Sequence, residues 1–228
     1  MAAHAKIKLV QCWDDGVLDD IRLIEILRKH RAAASFNLNL GLHREERYCG
    51  GKFKDTKEVF KLALPELKEV YQGFTAANHA LRHPHLTKIP IEEARREILD
   101  GRDALEQLFG YPIDGFAYPY GDQNAEIREL VRSAGHLYAR AVSSTRTVFP
   151  PEEPMDFKPS CHFLNENFWQ EFESVRDGRG VFYFWGHSYE IVTEEDWRAF
   201  DEKIARLSEE GEWVSLPSLF RQTLGNAD

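Results

Sequence analysis

The chain has 228 residues, 29 Lys+Arg against 38 Asp+Glu for a net charge of −9, and 43% hydrophobic with 12% aromatic content. That length buries one substantial core, and the composition excludes a mainly disordered chain. The acidic balance argues against nucleic acid and against anionic lipid, since both need a basic footprint on the protein.

No stretch approaches the ~20 apolar residues of a membrane span, so no membrane partner is expected. Met1 to Lys8 carries no apolar run of the kind a secretion signal has. The three cysteines, Cys12, Cys49 and Cys161, are odd in number and widely spaced. They give neither a disulfide framework nor a thiolate zinc site. A cytoplasmic protein with reduced thiols is expected.

Ile7 to Trp13 (IKLVQCW) is short, apolar and rich in β-branched residues, and Asp14-Asp15-Gly16 stops it as a strand. Leu18 to Arg31 places Leu18, Ile21, Ile24 and Leu27 at helical spacing. Ala33 to Leu40 reads as a second strand, and Gly41 to Asp55, with Gly50-Gly51, as a loop. Pro65 to Tyr71 is predicted helical, with proline in the first turn. Phe74 to Asn78 is a third strand that runs into His79. Ile91 to Phe109 is the clearest helix, with Ala94, Ile98, Leu105 and Leu108 on one face and Gly110 as its C-cap.

Strand Gly115–Tyr118, helix Asp122–Ser133 and strand Leu137–Val142 continue the alternation, and a Pro- and Glu-rich loop from Ser143 to Pro159 interrupts it. Helix Asn165–Val175, strand Val181–Trp185, helix Glu194–Ser208 and a short strand around Trp213–Val214 complete the chain. About seven apolar strands separated by helices imply a parallel sheet covered on both faces, in one domain over residues 1–228. A (β/α) barrel, closed or distorted, and an open doubly wound sheet both satisfy this pattern. The absence of a glycine-rich phosphate loop after the first strand weakens a nucleotide-binding version.

Active sites of parallel α/β folds gather where strands end. Here those ends read Asp14-Asp15-Gly16, His79 with His83 in NHALRHPHL, Tyr118-Pro119-Tyr120-Gly121, and Gly186-His187-Ser188. His79 and His83 at i, i+4 suit one face of a short helical turn stopped by Pro84. Two imidazoles and a carboxylate make a metal-binding set that leaves coordination positions open, and an Asp pair supplies that carboxylate with one to spare. A metal lowers the pKa of water toward ~7, and a spare carboxylate can accept its proton. Singly, each motif has a plainer reading as a turn, a surface histidine or a core histidine. Their shared position at strand ends favours chemistry.

WDDG, HALRHP and FAYPYG, followed by an apolar strand ending in FWGHS, resemble the ordered motifs of the polysaccharide deacetylase (NodB-homology) family, of carbohydrate esterase type. The resemblance runs from Trp13 to about Glu190. It implies a distorted (β/α) barrel of the glycoside hydrolase/deacetylase type. It further implies Asp14 as catalytic base, Asp15, His79 and His83 as metal ligands, the Tyr120 backbone N–H as an oxyanion donor, and His187 as general acid. One divalent ion is implied, zinc first, with cobalt or manganese also suited to Asp and His ligands.

The chain departs from the family's third motif, where an arginine that steadies the catalytic Asp is replaced by Ala117. Arg140, at the end of the fifth strand, is the candidate replacement. Trp185, Tyr118 and Tyr120 are candidates for an aromatic wall against a sugar ring, and His162 for a substrate contact. Glu190 either orients His187 or is a solvated carboxylate. His4, His30, His43, His85 and His136 have no assignable partners and are expected to be surface or filler.

The expected activity is removal of an acyl group, foremost N-acetyl, from an acetamido sugar, oligosaccharide or sugar conjugate. The alternatives are hydrolysis of a cyclic ureide, imide or formamide, and a carbohydrate-binding relic without turnover. The expected partner is a small carbohydrate or other amide substrate, and a homo-oligomer is compatible with the sequence.

Overall fold

The computed structural model describes residues 6–145, 147, 149–176 and 180–224. His4, and Arg146 and Val148 of the predicted 143–159 loop, lie outside the described residues. In chain order the elements are β1 (Ile7–Asp14), α1 (Asp20–Lys29), β2 (Ser35–Leu38), β3 (Tyr48–Phe53), β4 (Lys57–Lys61), α2 (Leu67–Val70), β5 (Thr75–Asn78), α3 (Ile91–Phe109), β6 (Gly115–Ala117), α4 (Ala125–Ser133), β7 (Tyr138–Arg140), β8 (Cys161–His162), α5 (Phe168–Arg176), β9 (Val181–Gly186), α6 (Glu194–Glu210), β10 (Gly211–Trp213) and α7 (Leu216–Leu224).

Eight of the strands form one sheet in the order β7-β6-β5-β2-β1-β9-β8, with β10 beside the first half of β1. All of its pairings are parallel. The sheet curls so that its edges approach: Phe157 bridges to Arg140 of β7, and a few residues on, Cys161 and His162 pair with Phe184 and Trp185 of β9. This broken seam makes the barrel a distorted one. The seven predicted strands are present, and β8 is an eighth that two residues are too few to announce in sequence.

β1 is the hub, buried along nearly its whole length because it has sheet neighbours on both sides and packed faces. Trp13 is fully buried, with ring centroids 5.0 Å from Phe163 and 5.4 Å from Phe200. Burying such a ring contributes ~1.5–3 kcal/mol, enough to pin the strand end that carries Asp14. On α3, Ala94, Ile98 and Leu105 are buried as the periodicity predicts, and Gly110 closes the helix at φ +79°.

From Tyr48 onward the predicted loop over 41–55 is instead the first strand and the turn of an antiparallel hairpin, β3–β4. Its turn places Lys54 and Asp55 at φ +49° and +58°, the signs of a type I′ turn. Lys-Asp is a poor announcement of that turn, and Gly50-Gly51 depresses β-propensity in β3. The hairpin is fastened to the end of β1 by a Val17–Lys61 bridge and by the Leu18 N–H to Phe60 carbonyl bond at 2.8 Å.

Beneath this junction Asp20 is fully buried and accepts from the Val17 N–H (3.2 Å), the Tyr71 hydroxyl (2.6 Å) and the Ser188 hydroxyl (2.5 Å). Burial pushes its carboxyl up to about 7, even against those three donated bonds. A folded pKa above the unfolded one means a stabilising contribution that is complete below about 4 and is lost as pH rises through about 7. Asp20→Asn, which mimics the protonated acid, should therefore gain Tm relative to the parent as pH rises from about 4 to about 7, at roughly 1.4 kcal/mol per pH unit inside that window, and the gap should level off above it. Melting curves of both proteins at four pH values check this. A gap that does not change with pH would show an ionised Asp20.

Candidate active site

The carboxyl ends of the strands surround a cavity of about 670 Å³, lined by Asp14, Asp15, His79, His83, Arg140 and His187, with Tyr118, Tyr120 and Trp185 among its walls. β1 delivers the two aspartates in opposite senses. Asp14 ends the strand and is 2% exposed, whereas Asp15 sits at φ +84° and Gly16 at +64°. That left-handed pair turns the chain sharply enough for both carboxylates to reach the same space. Asp15, His83 and Tyr120 are all non-glycine residues with positive φ, backbone strain of the kind concentrated at functional sites.

The Asp14 carboxylate is fixed on both oxygens. Oδ1 accepts from Asn37 Nδ2 at 2.6 Å, and Oδ2 pairs with the buried Arg140 guanidinium. Burial works to raise its pKa, but the charges of Arg140, His79 and His187 and the Asn37 bond outweigh it and hold Asp14 below the usual carboxylate range. Arg140 lies four strands from β1 in the sheet order, so the pair spans the inside of the curl. Its guanidinium also lies over the Trp185 ring, 4.7 Å from the centroid. Arg140 is 1% exposed, which rules out an ordinary surface arginine.

Asp15 Oδ1 accepts from Asn39 Nδ2 at 2.8 Å and lies 3.5 Å from Lys61 Nζ, which itself donates to the Asp15 carbonyl. His79 and His83 do not share a helical turn as expected. The chain from 79 to 84 is irregular, and Ala80 and His83 at φ +56° and +58° fold it back instead. The result still brings the two Nε2 atoms to 3.1 Å. His79 Nδ1 donates to the Ala117 carbonyl at 2.7 Å, which leaves Nε2 of the neutral ring as a lone pair facing the cavity. Burial lowers the pKa of both rings, His83 to about 4, so both are neutral at pH 7.

One ligand atom each from Asp15, His79 and His83 lies within 4.8 Å of the others. A carboxylate held ionised and two neutral imidazoles aimed at one point fit a divalent ion. His187 faces this group from β9, its Nε2 3.8 Å from Asp14 Oδ2 and 3.9 Å from Asp15 Oδ2. Glu190, in the 3-10 turn Ser188–Glu190, accepts from the His187 N–H at 3.0 Å and from Nδ1 at 3.3 Å. Burial lowers the His187 pKa, but Glu190 and the two aspartates prevail and raise it. Glu190 therefore orients His187.

Tyr118 is buried, with its hydroxyl spent on the Met155 carbonyl, while the exposed Tyr120 ring stacks on His85 at 3.9 Å. Trp185 lies between Arg140 and His187, 5.6 Å from the latter's ring. His162 is missing from the described residues that line the cavity; its Nε2 rests 2.9 Å from Glu190. The histidines expected to be surface or filler have partners: His30 pairs with Asp201 at 2.6 Å, and His43 and His136 are buried and bond Leu62 and Asn78.

A family profile described as Polysaccharide deacetylase matches residues 2–139. The chain belongs to the polysaccharide deacetylase family. Among curated relatives of this deacetylase-family chain, 66 residues are 32% identical to the peptidoglycan-N-acetylmuramic acid deacetylase PdaC of Bacillus subtilis (strain 168). That stretch covers 29% of this chain and only 14% of the relative. The solved structure of PdaC from Bacillus subtilis has a TM-score of 0.60 at 17% identity, covering 99% of this chain and 95% of that one. A family 4 carbohydrate esterase from Bacillus anthracis has a TM-score of 0.60 at 14% identity, covering 95% and 83%. These likenesses show the deacetylase barrel fold. Among the described residues, no helix is long and apolar enough to cross a membrane.

Proposed function

We propose that this chain is a metal-dependent hydrolase that removes an N-acetyl group from an acetamido sugar, oligosaccharide or sugar conjugate. The reading is carried by one observation: the Asp15–His79–His83 donor set shares one cavity with Asp14 and His187, whose Nε2 lies 3.8 Å from Asp14 Oδ2 and 3.9 Å from Asp15 Oδ2.

Asp15, His79 and His83 would hold the divalent ion, with zinc, cobalt and manganese all suited to the donors. When bound, such an ion supplies Lewis acidity toward an acyl oxygen and a water. Asp14, held ionised, accepts the proton of the attacking water at Oδ2. Arg140 and Asn37 keep that carboxylate in place throughout. The backbone N–H of Tyr120 donates to the oxygen of the tetrahedral species, a contribution often worth ~3 kcal/mol. His187, its Nδ1 proton held by Glu190, hands its Nε2 proton to the departing amine nitrogen. Tyr120 and Trp185 flank this point and offer faces to a pyranose ring.

The test is acetate release from N-acetylglucosamine oligomers of increasing length, before and after chelation. Release should fall at least tenfold on chelation and return with zinc, cobalt or manganese. Metal-independent release, or none on any oligomer under every metal, would overturn the proposal.

A further inference from the structure

A second group of metal-type donors lies beside the first, made of His162, His187 and Glu190, with one ligand atom from each within 4.8 Å of the others. Adjoining strands build it. His162 ends β8, in register with Trp185 of β9, and His187 and Glu190 follow directly on β9. The His162 ring is set by the Leu164 N–H, which donates to Nδ1 at 3.3 Å and so turns Nε2 toward Glu190. Glu190 Oε2 lies 2.9 Å from that Nε2 and 3.3 Å from His187 Nδ1. Such separations are what two ligands adopt when each is about 2.1 Å from a common ion. Burial raises the Glu190 pKa, but its bonds to His162 and His187 and their charges bring it down to about 2, so the carboxylate is ionised.

We propose that His162 Nε2, His187 Nδ1 and Glu190 Oε2 form a second cation site, selective for zinc, whose occupation switches the enzyme off. Two imidazole nitrogens and one carboxylate oxygen favour zinc over magnesium or calcium, which prefer all-oxygen shells. The donors are 15–25% exposed at their side chains, open enough for an ion to enter. Zinc here displaces the ring proton that each histidine shares with Glu190 and releases it to solvent, so binding weakens as pH falls.

The inhibitory consequence rests on the proposed role of His187. A general acid needs protons on both ring nitrogens, one retained at Nδ1 and one given from Nε2. With Nδ1 held by zinc, the ring has at most the Nε2 proton, and giving it away would leave an imidazolate. His187 then cannot protonate the amine. Zinc should therefore activate at the first equivalent and inhibit beyond it.

The experiment titrates metal-stripped protein with zinc chloride near pH 7.5 and follows zinc per chain by elemental analysis, alongside acetate release. The parent should hold two zinc ions per chain, and release should rise and then fall. His162→Gln keeps an N–H donor for Glu190 and loses the imidazole; it should hold one ion fewer and need at least tenfold more zinc for inhibition. His83→Ala should lose the other ion while keeping the His162-dependent one, so failure of the primary metal reading is seen separately. Equal zinc content and equal inhibition in the parent and His162→Gln would overturn the second site. So would a parent that binds a single ion.

Discussion

Replacing His187 by Ala should lower kcat by about 10²–10⁴-fold, the range that a positioned general acid contributes. KM should change little, and Tm should stay near that of the parent. The side chain is 20% exposed, and its partner Glu190 keeps the His187 backbone N–H and His162, so the loss leaves no uncompensated buried charge. Asp14→Asn should cause a comparable fall in kcat because an amide accepts no proton from water. It should also lower Tm, since Arg140, 1% exposed, then faces a neutral group. Steady-state kinetics and melting curves on both variants check the pair of effects. Near-normal kcat in either would remove that residue from the mechanism.

Most of the barrel can be read from residue order because β1 and β9 are buried on both faces and so read as short, mainly apolar segments. The β3–β4 hairpin could not be read in the same way. Its pairing is stabilised by cross-strand contacts and by fastening to Val17, not by strong local propensity. Lys61, which that hairpin brings to within 3.5 Å of Asp15, was missed with it. α7 was missed too; only Ser215, whose hydroxyl reaches Ser218, marks its start.

At the site, the motif residues converge as their strand-end positions suggest, but their support came from elsewhere in the chain. Asn37 and Asn39 alternate with Phe36 and Leu38, a period of two that puts both amides on one face of the chain at β2. The register Asp14↔Asn37 then sets them against the aspartate pair. That alternation was visible in SFNLNL and carried a usable signal. No local pattern could show that Arg140 would reach Asp14, because the contact requires the sheet to curl through four intervening pairings. The i, i+4 spacing of His79 and His83 did identify two neighbouring imidazoles, although two positive-φ residues, not a helical turn, bring them together.

Arg140 is the residue whose loss should be felt in both stability and rate. Removing one partner of a buried ion pair costs roughly 3–5 kcal/mol, because the other charge is left in a low-dielectric setting. Arg140→Met, chosen to fill the space over Trp185, should therefore lower Tm by roughly 6–20 °C for a domain of this size. Adding Asp14→Asn should recover part of that loss, since neither charge is then stranded. The kinetic sign is also fixed. Asp14 is held below its ordinary pKa, so its ionised form supplies stability above the unfolded value and loses it as pH falls through the folded one. Without Arg140, burial is opposed only by weaker partners, the carboxyl titrates higher, and the acid limb of the kcat/KM profile moves to higher pH. Arg140→Lys should restore much of the limb's position and less of the rate, because an ammonium supplies charge without the planar fork. If Arg140→Met leaves both the acid limb and Tm unchanged, Arg140 does not stand in for the arginine missing at Ala117.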